Sequence, residues 1–260
     1  MCLKELFQMR MHSNTIFITG GSSGIGQGLA EAFHQLGNQV IIISRRKEVL
    51  KDICTRNSGM RYFVLDVTDP KAISSVARQV IQEFPALNCV FNNAGVQNAI
   101  DVSGASELAE QALVEEVHAN LLGVIRVAGA FLPHLKRQEN AVLMNVSSGL
   151  AFVPLARFPV YCATKAATHS YTLSLRHQLR GSGVKVIELI PPYVATNLGG
   201  STKRASNPNA PQPMPLLTFI AETMKELTGD ADEIAIGPSK NLLAASGLDN
   251  VKKAFAGMNG

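Results

Sequence analysis

The chain has 260 residues, 46% of them hydrophobic and 17% charged, a balance that builds a large buried core and excludes a disordered polymer. Its net charge of +4 is spread thinly, and the longest basic clusters are pairs such as Arg45-Arg46 and Lys252-Lys253, which argues against a nucleic-acid footprint. The cysteines, Cys2, Cys54, Cys89 and Cys162, form no Cys-x-x-Cys pair and no metal spacing, and their usage suits a reducing compartment.

Residues 1–14 are polar and mixed and read as a loose extension without the apolar centre of a signal peptide. No apolar run is long enough to cross a membrane, so the expected location is the cytoplasm. Thr15–Thr19 reads as a strand, followed by the glycine turn Thr19-Gly20-Gly21-Ser22-Ser23-Gly24-Ile25-Gly26 and a helix over Gly24–Leu36 ended by Gly37. Strand, glycine turn, helix is the context in which glycines clear a path to the backbone and helix-start amides face a phosphate.

Gln39–Ser44 holds the continuous run Val40-Ile41-Ile42-Ile43, which suits a strand covered on both faces. A helix is expected over 46–57, then a strand over Tyr62-Phe63-Val64-Leu65. Asp69 caps the next helix with Pro70 at its first position, and that helix runs to about Phe84. A fourth strand, Cys89-Val90-Phe91, ends at Asn92-Asn93-Ala94-Gly95. A long helical stretch over 107–137 follows, then a strand over Ala141–Val146, a helix over Val160–Arg180 and a strand over Lys185–Ile190.

Repeated βα units imply a doubly wound α/β fold: a mostly parallel, Rossmann-type sheet with helices on both faces. One domain over 15–260 is expected, because no second unit or repeat is visible. The turn, Asp66, Asn92-Asn93, Ser147-Ser148 and Pro191-Pro192 all follow strands, so this fold gathers them on the edge where such sheets bind ligands. Residues 199–215 are rich in Gly, Ser, Asn and Pro, and about 195–230 is expected to form a substrate lid. Its amphipathic helix, with Leu217, Ile220, Met224 and Leu227, is expected to pack on the core.

Tyr161 and Lys165 are four apart and share one helix face, thirteen residues after Ser148. A tyrosine is a poor base at neutral pH, and a neighbouring ammonium is expected to lower its pKa. Tyr161 could then exchange a proton with a substrate oxygen that Ser148 also holds. The six histidines, His12, His34, His118, His134, His169 and His177, make no metal pattern and read as surface or capping residues. Ser148 lacks the Gly-x-Ser-x-Gly of a hydrolase, and Cys162 reads as packing.

Thr19-Gly20-x-x-x-Gly24-x-Gly26, Asp66-Val67, Asn92-Asn93-Ala94-Gly95, Asn120-x-x-Gly123, Ser148, Tyr161-x-x-x-Lys165 and Pro191 occur in the order and spacing of one family. On these residues the chain resembles the short-chain dehydrogenase/reductase family, over 15 to about 198. The resemblance implies a catalytic tetrad of Asn120, Ser148, Tyr161 and Lys165. Tyr161 would be the acid/base, Ser148 would polarise the substrate oxygen, Lys165 would lower the tyrosine pKa and bind the nicotinamide ribose, and Asn120 would hold a water. The dinucleotide would meet Gly20, Ser22, Ser23, Gly24, Ile25 and Gly26 at the turn. Asp66 and Val67 would border the adenine, with Asn93, Ala94 and Gly95 at the adenine-side ribose. Pro191, Val194 and Thr196 would lie by the nicotinamide.

Where NAD sites carry an acid after the second strand, this chain has Ser44-Arg45-Arg46, which favours NADP(H) over NAD(H). The activity implied is hydride transfer between NADP(H) and a carbonyl or secondary alcohol. A dinucleotide-binding regulator without turnover is the alternative, and an epimerase or dehydratase would need a larger C-terminal domain. The family's habit of pairing through the helices at 107–137 and 160–180 implies a homodimer or homotetramer. Metal, nucleic-acid and membrane partners are not expected. Pro191-Pro192 replaces the usual Pro-Gly and stiffens that loop. The segment Asp232–Gly237 is closer to a bacterial subset named after the D-alanyl–lipoteichoic acid operon.

Overall fold

The computed structural model describes residues 8–104, 110–198, 212–247 and 257. Seven strands form one sheet: β1 (Thr15–Thr19), β2 (Gln39–Ser44), β3 (Arg61–Val64), β4 (Leu87–Asn92), β5 (Ala141–Val146), β6 (Val184–Ile190) and β7 (Glu233–Ala235). All pairings are parallel and the order is β3-β2-β1-β4-β5-β6-β7. The helices are α1 (Gly24–Gln35), α2 (Lys47–Arg56), α3 (Pro70–Glu83), α4 (Glu110–Val117), α5 (Gly123–Leu135), α6 (Pro159–Gln178), α7 (Leu216–Glu226) and α8 (Ser239–Ala244).

The apolar strand runs explain why the sheet is covered twice. Side chains alternate faces along a strand, so an unbroken apolar run needs two cores. Ile16, Ile18, Val40 and Ile42 enter one core with Leu29 and Phe33 of α1, Leu50 of α2 and Phe219 of α7. Phe17, Ile41 and Ile43 enter the other with Ile73 and Val80 of α3, Phe131 of α5 and Leu175 of α6. The Phe17 and Phe131 rings meet there at 4.6 Å. The expected amphipathic helix is α7, and it packs against α1 through Phe219 and Ile220, while Leu217, expected on that face, is 84% exposed. Asp69 caps α3 as the sequence implies, accepting from the Lys71 and Ala72 amides.

Several details differ from the sequence reading. The stretch expected as one helix over 107–137 is two helices joined by a π turn at His118–Leu122, while residues 105–109 fall outside the described chain. Leading into β1, Met9 lies buried in the core, and the Asn14 side chain donates to the Arg10 carbonyl at 2.7 Å. His134, read as a surface or capping residue, is buried, and its ring bonds the Leu87 carbonyl at 3.0 Å. β7 and α8 carry no strong periodicity and were not expected. Residues 199–211 of the expected lid lie outside the described residues.

The glycine turn has little room. A Cβ on Gly26 would sit 2.4 Å from both the Asn93 amide nitrogen and the Gly20 carbonyl oxygen. Gly129, inside α5, has nothing within 4 Å of its added Cβ. Gly26→Ala is therefore expected to lower stability by about 1–3 kcal/mol by overpacking. Gly129→Ala should raise it by about 0.5–1 kcal/mol through helix propensity. Urea denaturation of the two variants checks the pair.

Candidate active site

The site lies beyond the carboxyl ends of β1, β4, β5 and β6, where α1 starts and α6 passes. Gly20 and Gly24 have φ of +68° and +55°, a backbone that only glycine adopts cheaply. Thr19 closes β1 and its hydroxyl oxygen accepts the Asn93 and Ala94 amides, both at 3.0 Å. The Asn93 side chain donates to the Thr19 carbonyl at 3.0 Å. Asn93 thus spends its amide on fastening the end of β4 to the turn. Thr196, arriving after β6, stands over the turn, with its methyl 3.1 Å from a Cβ built on Gly24. Val194 bridges Met214 and is buried. The Pro191 carbonyl accepts the Gly149 amide at 2.9 Å, tying the end of β6 to the loop after Ser148.

Ser148 is the extended residue that caps a short 3₁₀ turn, Gly149–Ala151, and its oxygen accepts the Leu150 amide at 3.1 Å. That leaves its hydroxyl proton for another partner, and the Ser148 side chain draws the pKa of the Tyr161 phenol down. Lys165, one turn further along α6, has its amine 5.7 Å from the Tyr161 ring centroid. The amine donates to the Val146 carbonyl at 2.8 Å. Tyr161 and Lys165 are both buried.

Asn120 sits inside the π turn, a distortion common at functional positions. It donates to the Val96 carbonyl at 2.9 Å and to Thr164 at 3.2 Å, and it accepts the Val96 amide at 2.8 Å. Its own carbonyl accepts from Thr168 at 3.1 Å. Gly95 connects the two groups, because a Cβ there would lie 3.1 Å from the Asn120 side-chain oxygen and 3.8 Å from the Lys165 amine. The structure therefore brings Asn120, Ser148, Tyr161 and Lys165 to one place.

The electrostatics correct one expectation. Burial outweighs any help from the lysine and holds the Tyr161 phenol above the usual tyrosine range, and the Ser148 side chain pulls it part of the way back. Cys162 and Glu116 push it further up. Burial lowers Lys165 to about 8, against the opposing pull of Glu188 and Glu116. Glu116, one turn before Asn120, is itself raised to about 7 by burial, with the Asn98 hydrogen bonds opposing. One of its oxygens accepts the Asn98 amide at 3.3 Å, and the other has no partner among the described residues.

The two arginines part company. Arg46 reaches back to the turn and donates to Ser22 and Ser23, each at 2.7 Å. Arg45 turns away to Glu115 at 2.9 Å and Asp66 at 3.8 Å. Asp66 also accepts from the Thr68 amide and hydroxyl, at 2.9 Å and 2.8 Å. Val67 packs its carbonyl against Gly123, 3.0 Å from a Cβ built there. Phe158, Tyr161 and Cys162 form a small apolar cluster with Leu150, Leu155 and Leu198.

Glu116, Thr164 and Glu188 were not singled out from the sequence, which places Ser147 only at a strand end; His169, read there as a surface or capping residue, is half-buried and bonds Glu188 at 2.8 Å. Glu116 and His169 each lie four residues from a tetrad member, and Glu188 is a lone charge in the apolar strand Val-Ile-Glu-Leu-Ile. Those were the available signals. No group of three or more His, Cys, Asp or Glu side chains able to hold a metal occurs among the described residues, and none of their helices is long and apolar enough to cross a membrane.

Comparison with known proteins fixes the family. Residues 14–207 match the family model for short chain dehydrogenases. An uncharacterized oxidoreductase DltE of Bacillus subtilis is 42% identical over 196 residues, covering 75% of this chain and 77% of its own. A short chain dehydrogenase from Burkholderia cenocepacia in complex with NADP has a TM-score of 0.81 at 25% identity, covering 96% of this chain and 99% of its own. A Burkholderia phymatum relative in complex with NAD has 20% identity, covers 91% of this chain and 92% of its own, and repeats the fold at a TM-score of 0.77. The chain belongs to the short-chain dehydrogenase family, and so to a class of oxidoreductases.

Glu116 has a testable cost. Its folded pKa lies above the unfolded value, so its charging opposes folding as pH rises from the ordinary glutamate range to about 7, and the penalty is constant above that. Glu116→Gln should be more stable than the parent by about 1–3 kcal/mol at pH 8, with the gain shrinking toward pH 5. Denaturation midpoints at the two pH values check this.

Proposed function

We propose that this chain interconverts a carbonyl and a secondary alcohol with NADP(H), using Tyr161 as the acid/base. The single observation that carries the reading is the meeting of three buried side chains, Ser148, Tyr161 and Lys165, with the Lys165 amine 5.7 Å from the Tyr161 ring centroid, on the sheet edge that also holds the glycine turn.

The turn fits a dinucleotide. Gly20, Gly24 and Gly26 leave a cradle that a Cβ would fill, and α1 starts there with no hydrogen bond from the Ser23 side chain at its N-cap. Ser22, Ser23 and Ile25 complete the cradle. Asp66, Val67, Ala94 and Gly95 would lie along the adenosine half, with Asn93 holding the turn in shape. Pro191, Val194 and Thr196 would lie along the nicotinamide half. When bound, the nicotinamide supplies or takes the hydride.

The chain's own part is the proton. The Tyr161 phenol, held protonated by burial, suits donation to the oxygen of a carbonyl undergoing reduction. Ser148 holds the same oxygen with its hydroxyl. Lys165 supplies the positive charge that makes loss of the phenol proton affordable in a dry site and would hold the nicotinamide ribose. Asn120, with its amide fixed on Val96 and Thr164, would position a water beside Lys165. Leu150, Leu155, Phe158 and Leu198 give the site an apolar wall, which favours a substrate with an apolar flank. The same reading places the enzyme in the cytoplasm as a homodimer or homotetramer; Val114, Ile125 and Leu173 are exposed on the helices that would pair.

Tyr161→Phe should lower kcat for carbonyl reduction by about 10²–10⁴-fold while NADPH binding, followed by fluorescence, stays within a few-fold of the parent. Binding without turnover in the parent itself, across a broad panel of ketones and alcohols, would instead indicate the regulator. Cofactor choice is assigned to Arg46, since it stands over Ser22 while Arg45 is engaged elsewhere. Arg46→Asp is expected to weaken NADPH by about 10–100-fold relative to NADH, more than Arg45→Asp does. KM ratios for the two cofactors decide it.

A further inference from the structure

Glu188 is fully buried in the middle of β6, a strand whose seven residues are all buried. A carboxylate in such a place is costly unless its oxygens and its charge are matched. Both oxygens are matched. One accepts the Ser147 hydroxyl at 2.5 Å and the other accepts the His169 Nδ1–H at 2.8 Å. Ser147 lies between Val146, whose carbonyl takes the Lys165 amine at 2.8 Å, and Ser148. Lys165 and His169 are one turn apart on α6, in line with Tyr161. One buried carboxylate is thus fastened to the strand end that bears Ser148 and to the helix face that bears Tyr161 and Lys165.

Resting on the oxidoreductase reading above, we propose that Glu188 is a positioning residue: its carboxylate, shared between Ser147 and His169, is the buried counter-charge that keeps the Lys165 amine an ammonium beside Tyr161. The charges support this. Glu188 is the first of the groups that favour the protonated lysine, ahead of Glu116. The hydrogen bond to Glu188 is the main reason that His169 is raised above its ordinary value.

The other groups facing this centre are accounted for. Glu233 of β7 lies beside Glu188 in the strand register, but Arg176 of α6 takes Glu233 at 3.2 Å and stands 3.9 Å from Asp232. Glu116 approaches Lys165 from α4. The Phe152 ring covers His169 edge-on at 4.7 Å from the loop that follows Ser148.

Sharing has a consequence. While His169 is protonated, its charge cancels much of Glu188's. Once His169 loses its proton, the whole field of the carboxylate falls on Lys165. The lysine therefore holds its proton more tightly as pH climbs, which widens the range over which the site stays cationic.

The test is Glu188→Gln, which keeps the shape and removes the charge. Its first readout is the Lys165 ¹³Cε chemical shift against pH in labelled protein without substrate, assigned with Lys165→Met. The midpoint is expected to fall by about one pH unit or more. The His169 ring should titrate lower as well. The high-pH limb of kcat/KM for reduction should move down by the same amount as the lysine midpoint, while activity near pH 6 is largely kept. A folded variant whose lysine midpoint and pH limb do not move, with activity reduced evenly at every pH, overturns the proposal. If Glu188→Gln does not fold, the parent chain decides: the Lys165 curve must show a second step at the His169 midpoint, and His169→Asn must abolish that step. A lysine curve without the step overturns the proposal. These shifts are read without turnover, so they stand or fall apart from the Tyr161→Phe result.

Discussion

The whole site depends on keeping one positive charge where water cannot solvate it. Lys165 is 3% exposed, and burial lowers its pKa to about 8. Three groups resist that shift: the Val146 carbonyl directly, and Glu188 and Glu116 through their fields. Each costs something elsewhere. Glu116 keeps an oxygen unpartnered among the described residues, and Glu188 occupies a place where an apolar side chain would pack more cheaply. On the proposed reading, stability is given up at these positions in exchange for an ammonium next to a phenol. This is why polar side chains concentrate at one end of a sheet whose strands are otherwise apolar.

The fold supplies rigidity for that arrangement. Ser148 follows β5, Tyr161 and Lys165 ride on α6, and Asn120 belongs to the helix pair that packs between them. Each comes from a different element, so their mutual geometry is set by the cores on the two sheet faces. Short fastenings at the strand ends finish the job: Thr19 to Asn93 and Ala94, and Pro191 to Gly149. The Pro191-Pro192 pair, which departs from the family pattern, keeps this last fastening because the carbonyl of Pro191 is the group used.

Much of this was legible in the sequence, for physical reasons. The apolar runs Val40–Ile43 and Ile16–Ile18 suit two-sided strands, and the glycine turn has meaning because a strand precedes it and a helix follows. Tyr161 and Lys165 were visible because helical spacing is local. What was hidden depends on contacts between distant segments. Glu188 reads as an oddity in a strand until Ser147 and His169 are placed on either side of it. Arg45 and Arg46 are equivalent in sequence, and only the path of the chain after β2 sends one to the serines and the other to Glu115. The sign of the Tyr161 shift was missed because burial is a property of the assembled site, and here it outweighs any neighbouring charge.

The π turn at His118–Leu122 has a consequence for how such a site can arise or vanish. An α-helix turns by about 100° per residue, so one added residue swings everything downstream around the axis by that angle. Here the extra residue lets Asn120 look toward Val96 and Thr164 while α5 still lays Val127 and Phe131 against the sheet. A deletion of a single residue would smooth the helix and force a choice: either the asparagine faces the cleft or the downstream face meets the core, never both. The amide in the cleft is thus written into chain length as much as into residue identity, and a change in the number of residues would erase it where no substitution had touched it.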